Sequence, residues 1–171
     1  QIRDTSVSTG MMFFVEVMGR TSGAIALHTA VAGGAAGGLV PETTDQTGQL
    51  VEQLRASIAR GKRSHIVVVA EGDEAGGAFS VGQAMGKALH HPYRGVVLGH
   101  IQRGGRPTMR DRLVASEAGA MATAVLLEGR TGVMIGRQGG KSIEVPLTEV
   151  VANRHPEPNL RLLTLAQELS G

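Results

Sequence analysis

Short runs of branched apolar residues, each closed by glycine and followed by residues at helical spacing, recur along the chain. Such alternation leaves few solutions. Strands that are apolar throughout need cover on both faces, and the intervening helices supply it. The first strand is expected over 12–18, nearly continuous in apolar residues, and Gly19 breaks it. An alanine-rich helix follows over 23–34, stopped by Gly33-Gly34, and a short strand over 38–40 ends at Pro41. Leu50, Val51, Leu54 and Ile58 form one stripe of an amphipathic helix over 47–60, with Gly61 placed to cap it. A β-branched strand over 65–70 leads into Glu71-Gly72, and 71–86 reads as the most loop-like stretch, although 79–90 has helical character. A strand over 94–98 precedes a long helix over 109–127, with Leu113, Ser116, Ala120, Ala124 and Leu127 on one stripe. Strands over 132–136 and 142–145 pair across Gly139-Gly140, and a last helix covers about 160–169. The fold class this predicts is α/β, Rossmann-like, with a mostly parallel sheet flanked by helices. No repeat, low-complexity tract or linker divides the chain, so 1–171 is expected to be a single α/β portion.

Composition removes several classes of function. The chain has 171 residues, 42% of them hydrophobic, enough for a real core. Cysteine is absent, which excludes a disulfide framework, a thiolate nucleophile and a Cys-ligated metal, and fits a reducing compartment. A formal charge of +2 is too small for a surface that coats nucleic acid. Three phenylalanines and one tyrosine supply no stacking platform for single strands. No apolar run is long enough for a membrane span, and no signal-peptide pattern opens the chain.

In open α/β sheets, ligands bind outside the carboxyl ends of the strands. Three such ends carry polar residues beside glycine: Glu16, Met18, Gly19 and Arg20 at the first; Glu71-Gly72 at the second; Gly99, His100, Gln102, Arg103, Gly104 and Gly105 at the third. If these strands are parallel neighbours, the residues converge on one crevice. Arg20, Arg94, Arg103 and His100 are donors suited to phosphate. Gly104-Gly105 lets backbone N–H groups approach an oxyanion, and Glu71 suits sugar hydroxyls. The combination points to a phosphorylated, hydroxyl-rich small molecule.

Blander readings apply elsewhere. Glu16 lies inside a strand, where a structural contact and a catalytic role stand even. His28 and His65 occupy positions typical of structural histidines. His90-His91 are adjacent, and adjacent side chains rarely face one ion, so no metal site is expected there. The cluster Arg60-Gly-Lys-Arg63 reads first as a solvated helix end and second as an anion site. Gly33-Gly34 and Gly37-Gly38 lack the strand-turn-helix spacing of a nucleotide loop.

Val15-Glu-Val-Met-Gly-Arg20, Gly23, Pro41-Glu42, Glu71-Gly72 and Leu98-Gly-His-Ile-Gln-Arg-Gly-Gly105, with Asp111-Arg112, resemble the phosphofructokinase family in order and spacing. The likeness is to the family's C-terminal half and is strongest from Arg3 to Gly136. It implies a glycolytic kinase, cytoplasmic and homotetrameric, that transfers a phosphoryl group to the 1-hydroxyl of fructose 6-phosphate. By the matching motifs, Met18, Gly19 and Arg20 would line the sugar-phosphate site, with Arg20 also near the phosphoryl group in flight. Glu71 would bind sugar hydroxyls, and His100 and Arg103 the 6-phosphate. Arg94 would enter a neighbouring subunit's site, so a homo-oligomer is implied. Arg3, Arg60, Lys62 and Arg63 match basic positions of the bacterial allosteric effector site.

The departures define the alternatives. The family's nucleotide-binding first half, with its glycine loop, metal-binding acid and aspartate base, has no counterpart in these residues. ATP, or diphosphate in a diphosphate-dependent relative, and Mg2+ would belong to the complete enzyme, and this half alone would bind neither. Met11 stands where the family usually has an arginine, and Ala36 where bacterial relatives often carry a glutamate. A catalytically silent sugar-phosphate-binding or regulatory subunit is the competing reading.

Overall fold

The computed structural model describes residues 1–44, 46–72, 75–153 and 158–169. In chain order the elements are α1 (Ile2–Thr9), β1 (Met12–Val17), α2 (Ala24–Gly33), β2 (Gly37–Leu39), α3 (Gln46–Ala59), β3 (His65–Ala70), α4 (Ala78–Leu89), β4 (Tyr93–Val97), a 3₁₀ turn (Gly99–Gln102), α5 (Met109–Leu127), β5 (Val133–Gln138), β6 (Lys141–Pro146), α6 (Leu147–Ala152) and α7 (Arg161–Leu169). They form two compact units, residues 1–103 with 157–171, and residues 104–156.

The first unit is built on a four-stranded sheet in the order β2-β3-β1-β4. All its pairings are parallel, with Met12 opposite both His65 and Tyr93. β1 is therefore central, which explains why its sequence is apolar on both faces. One face packs Met12, Phe14, Leu39, Val67 and Val69 against Leu50 and Leu54 of α3 and Val81 and Met85 of α4. The other packs Val17, Val68 and Ala70 against Ala26, Leu27 and Ala30 of α2 and Ala166 of α7. Gly34 caps α2 with φ 57, its N–H reaching Ala30 O and Val31 O.

Two differences from the sequence reading concern α4 and α1. The loop-like stretch ends sooner than expected, because 78–86 is helical. Gly82 and Gly86 face the Tyr93 ring so closely that a Cβ at either would strike it. The glycines serve close packing of α4 on β4 rather than a turn. α1 has no apolar stripe and so escapes a search for periodicity. It is held by Ser6, whose hydroxyl donates to Met11 O at 2.9 Å and accepts from His65 N at 3.2 Å.

The second unit contains α5, α6 and the antiparallel hairpin β5–β6, closed across Gly139 and Gly140 at φ 58 and 82. α5 has the predicted bounds and a capping box, Thr108 N donating to Asp111 Oδ2 at 2.7 Å. Those Thr108 bonds hold the Asp111 carboxyl below its ordinary value. The predicted α5 stripe is not a buried seam: Leu113 and Leu127 are exposed, and Val125 is the buried residue among those described. Arg130 bridges Glu128 and Glu144, and Arg137 pairs with Glu117. Among the described residues no helix is long and apolar enough to cross a membrane.

Candidate functional site

Because β3, β1 and β4 lie side by side and parallel, their carboxyl ends open on the same edge of the sheet. A cleft of about 710 Å³ lies there, lined by Met18, Gly19, Arg20, Ile25, Glu71, Gln102 and Arg103. Six of these, Met18, Gly19, Arg20, Glu71, Gln102 and Arg103, are residues the sequence assigned to one crevice. Ile25 carries no chemical signal and was not foreseen.

The loop after β1 is tied down from both sides. Glu71 N donates to Val17 O at 3.0 Å, continuing the β1–β3 ladder by one rung. Glu71 Oε1 then accepts from Arg20 N at 2.7 Å and from Gly19 N at 3.4 Å. On the other flank Leu98 N donates to Glu16 O at 3.1 Å, and Gln102 Oε1 accepts from Met18 N at 2.9 Å. Arg20 sits at φ 56, in the left-handed region that side chains other than glycine rarely adopt. Gly72 lies directly against it, since a Cβ there would overlap the Arg20 carbonyl oxygen. The loop's far end is anchored by Glu42, whose carboxylate accepts from Gly23 N at 2.8 and 3.0 Å at the start of α2. A negative group is favourable at that helix end.

This geometry gives Glu71 and Glu16 structural contacts. The loop amides of Met18, Gly19 and Arg20 already have acceptors, so the loop offers a ligand its side chains rather than its N–H groups. Glu71 spends one oxygen on the loop and leaves Oε2 without a bond among the described residues. Glu16 resolves to the structural alternative: its Oε2 accepts from Ala78 N at 2.9 Å and caps α4.

The remaining predicted residues lie elsewhere. His100 is exposed on the 3₁₀ turn and does not line the cleft. Gly104 and Gly105, at φ 79 and 96, belong to the second unit. Arg94 pairs in register with Phe13 near the start of β4, at the opposite end of the strands from the cleft. It lines a different opening with Phe79, His90, His91 and Gly95. Met11, just before Met12, lies at that same end. Within this chain neither position reaches Arg20 or Arg103.

Among the basic residues matched to an effector site, Arg3 donates to Gly33 O and Gly34 O, covering the exposed carbonyls at the end of α2. Arg60 lines a cavity of about 170 Å³ with Ala36, Gln53 and Ser57. Burial, and then the charges of Arg3 and Arg60, push the Lys62 ammonium below its ordinary pKa. Arg63 is exposed. His90 ends α4 at φ 49, and His91 Nε2 lies 2.8 Å from Gly10 O. His90 thus closes a helix, and the His91 ring rests on a backbone carbonyl distant in sequence. His28 Nδ1 lies 2.7 Å from Ala24 O within α2.

A parallel sheet covered by helices on both faces, with a cleft outside its strand ends, defines a doubly wound α/β architecture. The phosphofructokinase family model matches residues 1–126, and the chain belongs to that family. It is 47% identical over 170 residues to an ATP-dependent 6-phosphofructokinase 1 of Thermus thermophilus, covering 99% of this chain and 52% of that protein. It is 41% identical to an ATP-dependent 6-phosphofructokinase of Brevibacillus brevis, with the same coverage. The chain thus spans about half the length of the curated relatives it matches. Phosphofructokinase from Saccharomyces cerevisiae superposes with a TM-score of 0.81 at 31% identity, over 88% of this chain and 21% of that one. A pyrophosphate-dependent phosphofructokinase from Marinobacter aquaeolei superposes with a TM-score of 0.72 at 23% identity, over 94% of this chain and 47% of that one, a likeness of fold alone.

Proposed function

We propose that the chain is the substrate-binding half of a 6-phosphofructokinase and takes fructose 6-phosphate in the cleft at the ends of β1, β3 and β4. The observation that carries this reading is the pairing of Arg20 and Arg103 with Glu71 around one cleft. Two guanidinium groups match a phosphate, and a carboxylate accepts from sugar hydroxyls. Arg20 brings positive charge to the cleft from a backbone that is clamped in place, and such charge stabilises a phosphoryl group in transfer. The complete enzyme would move a phosphoryl group from ATP to the 1-hydroxyl. The cations of Arg3, Arg60, Lys62 and Arg63 are assigned to an anionic effector. Arg94, remote from the cleft of its own chain, is assigned to the site of a second copy in a homo-oligomer.

The donor and its metal lie outside this reading of the chain. Among the described residues no three His, Asp or Glu side chains come together to hold an ion. No step is therefore assigned to a metal here. Glu71, the carboxylate that lines the cleft, holds the loop through Oε1 and keeps Oε2 for a sugar hydroxyl, which is a binding role. That is also what a catalytically silent sugar-phosphate-binding subunit would show. Calorimetric titration of the chain with fructose 6-phosphate, beside Arg103→Ala, tests the substrate assignment. A hydrogen bond to a charged group contributes roughly 1.5–3 kcal/mol, so the variant should bind about tenfold to a hundredfold more weakly. Equal affinity in both overturns the assignment. A coupled assay with ATP or diphosphate separates the two roles, with no turnover expected from the chain alone.

A further inference from the structure

Three consecutive amides follow the last sheet residue of β1, and each is satisfied by a side chain from a flanking strand end. Gly19 N and Arg20 N go to Glu71 after β3, and Met18 N goes to Gln102 after β4. Past Val17 the main-chain ladder has ended, so Met18 N–H would be an orphan donor at a partly buried position without this bond. The 3₁₀ turn is shaped to deliver the acceptor. Gly99, at φ 52, turns the chain back after β4, and the turn closes with Arg103 N donating to His100 O at 3.0 Å. Gln102 therefore stands beside Arg103 in sequence while its side chain grips the loop that carries Arg20.

We propose that Gln102 is a positioning residue that sets the separation of the two cationic arms of the cleft, Arg20 on one and Arg103 on the other. It acts through the Met18 amide rather than by touching the reacting atoms. A neutral acceptor suits the place. A carboxylate would fix the same N–H but add negative charge between two groups that must attract an anion. Arg20 needs such fixing, because its left-handed backbone is unfavourable and is kept only where its surroundings enforce it. Glu71 enforces it from the β3 side, and Gln102 fixes the residue from which the loop departs. The inference rests on the fructose 6-phosphate reading for its functional consequence, though not for its geometry.

The test uses the full chain with Gln102→Leu, which keeps bulk and removes the acceptor, and Gln102→Glu, which keeps an acceptor at the same reach. Amide hydrogen exchange and amide resonances are followed at Met18 and Arg20, and fructose 6-phosphate is titrated by calorimetry. In Gln102→Leu the Met18 amide should exchange about threefold to tenfold faster, the Arg20 resonance should move, and fructose 6-phosphate should bind more weakly by a similar factor. Gln102→Glu should retain the parent's Met18 protection and Arg20 resonance. Unchanged Met18 exchange in Gln102→Leu overturns the proposal. So does an Arg20 resonance that stays in place while Met18 opens, since the bond would then be local. Unaltered affinity in a chain that binds the sugar phosphate also overturns it. If the parent takes up no fructose 6-phosphate, the substrate reading falls, and the two amides alone decide whether Gln102 positions Arg20.

Discussion

Replacing Arg20 by glycine should make the protein more stable and a weaker phosphate binder at once. The left-handed conformation at φ 56 costs a residue with a side chain about 1–2 kcal/mol. Glycine adopts it freely but gives up roughly 0.5–1 kcal/mol through the extra freedom of its unfolded chain. Arg20 is exposed, and its guanidinium makes no hydrogen bond among the described residues, so deleting it removes little native contact. Arg20→Gly should therefore gain about 0.5–1 kcal/mol, a rise of about 1–4 °C in melting temperature for a chain of this size. Arg20→Ala is the decisive control. It deletes the same guanidinium and keeps the unfavourable backbone, so it should melt close to the parent. Both variants should lose fructose 6-phosphate affinity about tenfold to a hundredfold. Calorimetric melting and titration of all three proteins supply both readouts. If Arg20→Gly melts no higher than Arg20→Ala, the loop does not hold residue 20 in the left-handed region, and the argument for its enforced geometry fails.

Gly72→Ala should act in the opposite direction on the same loop. Its methyl would meet the Arg20 carbonyl, a backbone atom with no rotamer to move away, so a loss of roughly 1–3 kcal/mol is expected. A parent-like melting curve together with parent-like binding would contradict that contact. Stability should also fall on acidification through His65. Its Nε2 donates to Lys62 O at 2.7 Å, while Nδ1 is buried without a partner and the His91 ring stands 6.1 Å away. Burial first, then the neighbouring His91 and Lys62, lower its pKa from 6.5 against the raising effect of the Lys62 carbonyl. The unfolded chain thus takes up a proton more readily than the folded one. The contribution is complete above about pH 6.5 and is lost as pH falls below it. Urea unfolding of parent and His65→Gln between pH 5 and 8 should show the parent losing more on acidification; parallel curves would count against it.

The parts of the fold that could be read in advance are those with a period. β3 and α5 have the predicted bounds, and α3 buries Leu50 and Leu54 from its predicted stripe. α1, α6 and the 3₁₀ turn went unseen because each is short and held by specific hydrogen bonds or neighbouring chain. The cleft was legible because parallel strands bring their carboxyl ends together whatever their order. Its inner wiring was not. That Glu71 and Gln102 serve the backbone of Met18–Arg20 depends on β1 lying between β3 and β4, and composition does not encode strand order. Arg94 lies near the start of β4 and Arg103 follows the turn after it, so the two stand at opposite ends of the strand, as the register with Phe13 shows.

The place of β1 at the centre of the sheet also bears on how the chain can be made. The strand is made before both of its partners, β3 and β4, which come much later in the chain. It cannot settle by pairing with a sequence neighbour. Closing such long loops is entropically unfavourable before any contact repays it, and proteins rich in distant pairings fold slowly. α7, at the far end of the chain, then packs Ala166 beside α2 and completes the second layer of the core. Synthesis must therefore pass through residues 104–156 before the first unit has all its parts. Until then an almost wholly apolar strand waits without its cover, a natural client for a chaperone that holds nascent chains.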